Sequence, residues 1–265
     1  MIEILGVIGL AFIPAFMALD LVYEAREFEA PRWYRLRMLA ATIAVLGGSI
    51  AITTFWGTVF EGASLLDGSV LGTWGGVAAG ILVYELIHYA YHRSAHRFDW
   101  LWLAGHQVHH SAEKLDAFGA NYLHPIDLFF FTSWSSLVFF PLLGLTPEAG
   151  AVCATWLAFN AMFQHANIRT PHWLGYLIQR PESHLVHHAR GRHEFNYANL
   201  PLWDMVFGTF ANPRSVEGME AGFWNGASTR IVDLLRFRDV SKAPAAMATK
   251  SDADEPESRP LQEAA

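Results

Sequence analysis

The chain has 265 residues, 52% of them apolar and only 16% charged, with a formal net charge of −7. That charge offers no general attraction to nucleic acid, and a charged fraction well below the usual quarter or so of a soluble domain leans towards the membrane. Cys153 is the lone cysteine, which excludes a disulfide framework and any thiolate-ligated zinc or iron–sulfur centre.

The first predicted element is a membrane-length apolar segment over 4–23, with Asp20 near its end. No basic region precedes it and Glu3 opens it, so a cleaved signal peptide is not expected. A polar stretch with Arg26, Arg32, Arg35 and Arg37 follows, then a second apolar span over 38–60. The acidic loop EGASLLDG leads to a third span at about 70–91, long enough at roughly 1.5 Å per residue to cross a bilayer. Residues 126–143 and 149–164 read as a fourth span and a slightly short fifth. GLTPE makes the turn between them, and Pro147 suits a first helical position.

Charge sets the expected topology. The loop after the first span carries four arginines, while the loops at 61–69 and 144–148 carry only acids. The positive-inside rule then makes the arginine loop cytoplasmic and the N-terminus external. Counting spans puts the histidines at 88–110, 124, 165 and 184–188 at cytoplasmic span ends, in the inner membrane if the cell is bacterial. The segment 172–182, HWLGYLIQRPE, reads as an interfacial helix, and TRIVDLLRF at 229–237 as a short amphipathic one with Ile231, Leu234 and Leu235 on one face. From 241 the chain turns to Ala, Pro, Ser and acids, the composition of a disordered tail. The division expected is 1–69 N-terminal transmembrane helices, 70–215 catalytic domain, 216–240 amphipathic cytoplasmic segment and 241–265 tail.

The histidine pattern carries the chemistry. His88, His92 and His96 are spaced i, i+4, i+8, and two HxxHH groups follow: His106, His109, His110 and His184, His187, His188. On a helix each spacing puts its imidazoles on one face. A single histidine is ordinarily a hydrogen-bonded core residue, but three such groups supply more ligands than one ion uses. They point to a polynuclear site held by nitrogen, suited to iron, copper or zinc. Two irons can bind O2 and deliver two electrons at once, which attack on an unactivated C–H bond of a lipid requires. A zinc pair would suggest hydrolysis, but no GxSxG nucleophile elbow accompanies these groups.

HRSAH at 92–96, AGHQVHHSAE at 104–113, ESHLVHH at 182–188 and NYANLPLWDMVFGTF at 196–210 resemble the fatty acid hydroxylase/sterol desaturase superfamily, most closely its alkylglycerol-monooxygenase-type branch. The resemblance spans roughly residues 85–210. It implies an all-α integral-membrane protein of four to five transmembrane helices, with a cytoplasmic helical cap carrying a His-rich dimetal site. It further implies two non-haem iron ions, O2 as co-substrate, a membrane lipid as substrate, and an external electron donor such as a ferredoxin, a cytochrome b5-like protein or a reductase. The metal ligands it implies are His92, His96, His106, His109, His110, His165, His184, His187 and His188. His88 is extra to its first box. Two family aspartates are glutamates here, Glu85 and Glu194, either of which could orient a ligand histidine, as could Asp204.

His124, before Pro125, reads equally as a helix start or as a group approaching the site. His172 and His193 read as interfacial or supporting residues. Arg93, Arg97, Lys114, Arg180, Arg190 and Arg192 could hold an anionic head group or an acidic donor protein, although positive-inside bias alone accounts for each. Hydroxylation and desaturation share these boxes. A metal transporter or sensor would need polar residues through its spans, and a bis-His haem protein would not cluster HxxHH groups.

Overall fold

A computed structural model of the chain describes residues 1–192 and 194–244, which leaves His193 and most of the expected tail outside the described residues. Five longer helices make the body: α1 (Ile2–Val22), α2 (Tyr34–Val59), α3 (Gly72–Arg97), then α6 (Pro125–Leu137) and α7 (Pro147–His165). Short helices α4 (Asp99–Leu101) and α5 (Gln107–His110) lie between α3 and α6, and α8 (Pro181–His188), α9 (Leu202–Phe207) and α10 (Ile231–Leu235) follow α7.

Among the described residues, four helical stretches are long and apolar enough to cross a membrane: Ile2–Val22, Tyr34–Val59, Gly68–Arg97 and Pro125–Leu142. They turn large apolar side chains outward, among them Ile4, Val7 and Leu10 of α1 and Ile43, Ile50 and Phe55 of α2. A helix satisfies its own backbone, so such a surface is stable only against lipid. α7 falls outside this set. It buries Asn160, Gln164 and His165 instead, the signature of a helix turned towards a polar interior.

The bundle runs α1, α7, α3, α6, α2, each packed on the next. Small residues permit the close approach of α3 and α7. A Cβ on Gly76 would lie 3.0 Å from that of Ala149, and one on Gly80 would lie 2.9 Å from Cys153 Sγ. Phe12 and Phe16 of α1 pack on Phe159 of α7, and Trp56 of α2 donates to Ser133 Oγ of α6 at 2.8 Å.

At one end of the bundle the loop after α2 pairs with the turn before α7, as Leu65 N donates to Pro141 O and Gly68 N to Leu143 O. At the other end the arginine loop after α1 lies with the histidine segments and the cap. There Met17, Tyr34 and Met38 share a core with Val108, Phe118, Phe223 and Leu234.

The cap departs from expectation in two places. Residues 172–182 form no single helix. A short turn over His172–Tyr176 exposes Trp173 and Tyr176, the chain then extends, and Pro181 starts α8 with Arg180 and Glu182 buried. The amphipathic segment is helical only over Ile231–Leu235, where Leu234 alone is buried and Ile231 and Leu235 are exposed. Phe237, at φ 59°, ends the segment.

Candidate metal centre

α3 runs unbroken from the bundle into the cap, so its last turns present His92 and His96 at the cap end. α7 ends on His165 at the same level. The chain after α3 winds through a π-helical turn over Trp102–His106 and then α5, a geometry that lets His106, His109 and His110 all face inward. α8 brings His184, His187 and His188 from the opposite side.

The nine imidazoles fall into two groups. His92, His96, His106, His110 and His187 form one, and His109, His165, His184 and His188 form the other; within each, the potential ligand atoms lie within 4.8 Å of one another. The groups adjoin, since His110 and His188 stack with centroids 4.2 Å apart.

Hydrogen bonding fixes the tautomers. Nδ1–H of His92 donates to Tyr197 O at 2.6 Å, that of His187 to Phe195 O at 2.7 Å and that of His165 to Ala161 O at 2.8 Å. Nδ1 of His106 meets Asp127 Oδ2 at 2.7 Å. Carbonyls and carboxylates only accept, so each of these Nδ1 atoms carries the proton and each ring turns its Nε2 inward. His92 and His106 then oppose Nε2 atoms at 2.9 Å, and His165 Nε2 meets those of His109 at 3.2 Å and His184 at 3.0 Å. Lone pairs this close repel unless a cation lies among them, and one proton cannot serve three nitrogens. Nε2 of His188 is buried with no hydrogen-bond partner among the described residues. The donor set fits a metal pair.

Burial first, and neighbouring imidazoles after it, hold His109, His110, His184 and His188 well below the ordinary histidine value. They are neutral at pH 7, the form that ligates metal.

The remaining candidates separate by geometry. His88 lies outside both groups; its Nδ1 faces Tyr84 OH at 3.2 Å and its ring stacks on Phe131. His124 caps α6, its Nδ1 accepting from Ile126 N at 3.1 Å. Glu85 accepts from Asn199 N at 2.9 Å and Leu200 N at 3.2 Å, while Asp204 accepts from Tyr197 N at 2.9 Å and Ala198 N at 2.8 Å. Neither carboxylate meets an imidazole among the described residues; both anchor the loop whose Tyr197 carbonyl orients His92. Glu194 is exposed. Burial raises the Asp204 carboxyl to about 6.

Among the described residues, the carboxylate held against one of these imidazoles is Asp127, which the motif reading missed. Its one sequence signal is an acid in the first turn of an apolar span. Gly105 admits it, because a Cβ there would stand 3.3 Å from Asp127 N and 3.4 Å from its Cβ.

A half-open cavity of about 270 Å³ reaches the groups from between α2, α3, α6 and α7. Val45, Leu128, Phe131, Leu157 and Ala161 line it, and so do His92, His106, His109, His165 and His184 from the two groups.

Fold and site together define an integral-membrane helical protein with an imidazole-only centre suited to two metal ions. The chain belongs to the fatty acid hydroxylase family, whose model matches residues 77–209. It is 35% identical over 156 residues to alkylglycerol monooxygenase of Homo sapiens, covering 56% of this chain and 33% of that protein. It is 30% identical over 151 residues to ornithine lipid hydroxylase OlsE of Rhizobium tropici, covering 55% and 45%. With sphinganine C4-monooxygenase 1 of Arabidopsis thaliana it shares 23% over 154 residues, 57% and 59% of the two chains. The chain thus spans about a third of the length of its alkylglycerol monooxygenase relative. No solved structure matches it.

Proposed function

We propose that this chain is an O2-dependent, non-haem di-iron hydroxylase of a membrane lipid. The observation that carries the reading is the meeting of two imidazole groups with an apolar cavity set among membrane-length helices. His92, His96, His106, His110 and His187 would hold one iron, and His109, His165, His184 and His188 the other. Bound there, the iron pair would supply O2 binding and two-electron oxidation of a C–H bond. The protein's part is positioning. Leu128, Phe131 and Leu157 grip an alkyl chain and exclude water, and the cavity's length sets which carbon reaches the imidazoles. Electrons come from an external donor such as a ferredoxin, a cytochrome b5-like protein or a reductase. The arginine loop shares an end with the site, so the positive-inside rule puts that end in the cytoplasm and the N-terminus outside. Hydroxylases among the similar proteins, acting by their names on an ornithine lipid and on sphinganine, support the reaction class.

The test is a lipid mass profile of cells expressing the chain, supplied with iron and a competent reductase, against a control carrying His109→Ala and His187→Ala. A lipid that gains one oxygen only with the intact chain establishes the hydroxylase and its substrate class. Loss of two hydrogens makes it a desaturase on the same centre, and no change overturns the reading.

A further inference from the structure

The family match begins at residue 77. One of the two imidazole groups is nonetheless braced by residues far upstream of it. Asp20, fully buried in the last turn of α1, accepts from Asn167 N at 3.0 Å and from Ala117 N at 2.6 Å. Ala25 N donates to Asn167 O at 2.9 Å, and Arg26 N to Asn167 Oδ1 at 3.0 Å. Asn167 Nδ2 returns a bond to Arg26 O at 2.7 Å. Every polar group of Asn167, backbone and side chain, is thereby held by residues 20–26.

Asn167 lies two residues beyond His165. Arg26 also pairs with Glu182 at 2.8 Å, two residues before His184. Glu182 in turn accepts from Thr170 N at 2.9 Å, closing a ring of contacts around the approach to both histidines. His165 and His184 are the pair whose Nε2 atoms stand 3.0 Å apart in the second group. The first group takes its orientation elsewhere, from Tyr197 O, Phe195 O and Asp127.

We propose that Asp20, Arg26 and Asn167 form a positioning clamp for the second imidazole group, so that one metal position depends on the N-terminal segment and the other does not. The clamp touches no ligand atom. It acts by fixing where α7 ends and where α8 begins. Loosening it leaves His109 and His188, two ligands where four converged, while the five imidazoles of the first group keep their own supports. The inference rests on the dimetal reading above.

The test uses the full chain in lipid nanodiscs, stripped of metal and titrated anaerobically with iron(II) alone, with iron per chain read after desalting. Wild type should bind two ions. Asn167→Ala and Arg26→Ala should each retain one and need at least about tenfold more iron to fill the other, the usual scale for losing a partner behind a ligand. Adding His165→Ala to either variant should cost less than it costs the wild-type chain, whereas adding His92→Ala should weaken binding of the remaining ion as much as it does in wild type. Arg26→Lys, which keeps the charge facing Glu182, should recover part of the lost affinity. Variants that bind both ions as wild type does, or that lose both together, overturn the clamp. If Asn167→Ala does not fold, Arg26→Ala decides alone. A wild-type chain that takes up no iron instead refutes the metal centre, and the clamp with it.

Discussion

Nδ1 of His106 and Oδ2 of Asp127 stand 2.7 Å apart at a point where both side chains are shut off from solvent. The other carboxylate oxygen accepts from Tyr91 OH, also at 2.7 Å. Asp127 therefore spends both oxygens fixing one ring's tautomer and one phenol on α3. The first turn of α6 is tied by it to the segment that carries HxxHH.

Asp127→Asn keeps the shape but removes the charge that makes the imidazole a strong ligand. Iron affinity at the first group should fall about tenfold to a hundredfold with the fold intact. Asp127→Ala should add a stability loss of about 1–3 kcal/mol, because His106 and Tyr91 lose a buried acceptor. Iron titration and thermal melting separate the two effects.

Asp204 acts at one remove. It receives the amides of Tyr197 and Ala198 and the hydroxyl of Thr209, the last at 2.7 Å, and so holds the carbonyl on which His92 depends. Asp204→Ala should cost about 3 kcal/mol, as for a buried acceptor of several hydrogen bonds. Melting of the metal-free chain measures it, and an unchanged melting temperature contradicts the role.

His88 lines the cavity without belonging to either group. His88→Ala should leave iron per chain unchanged and alter the turnover or the position of the product. Loss of an ion in this variant would make His88 a ligand after all.

The cavity predicts its own obstruction. Leu157 lies on its α7 wall, and Leu157→Trp should abolish product while both ions remain bound. Iron content together with the lipid profile gives the answer. Unaltered product would place the substrate elsewhere.

Proton linkage gives a prediction for the metal-free chain. His109, His110, His184 and His188 are held below the ordinary value of 6.5 in the folded state, while the unfolded chain's imidazoles take up protons near that value. The unfolded state thus binds more protons as pH falls below 6.5, and stability should drop there. Each excluded imidazole forfeits about 1.4 kcal/mol between pH 7.5 and 5.5. Bound iron keeps the same imidazoles unprotonated, so it should raise stability without flattening this dependence, which melting across the range reads directly.

Much of the site was legible because its residues repeat at helical spacing. The two HxxHH runs, and His92 with His96, announce a shared face whatever the rest of the chain does, and the structure gathers all of them with His165 into the two groups. Asp127, Asp20 and Asn167 were not legible as a set. Each is one polar residue in or beside an apolar stretch, and its partner lies 21, 97 or 141 residues away. No local period records a partner at that distance. Residues 172–182 misled for the opposite reason, since their local composition suits an interfacial helix while tertiary burial of Arg180 and Glu182 draws the chain inward.

Composition and period alone determined that this chain is helical, membrane-borne and equipped with an imidazole-rich centre, because hydrophobic length and side-chain spacing are local properties. Tertiary structure decided how the imidazoles divide, five with one group and four with the other, and which carboxylate stands behind them. It also brought the end of α1 against the ends of α7 and α8. Those outcomes depend on which helix packs on which, and packing is settled by complementarity between surfaces distant in the chain.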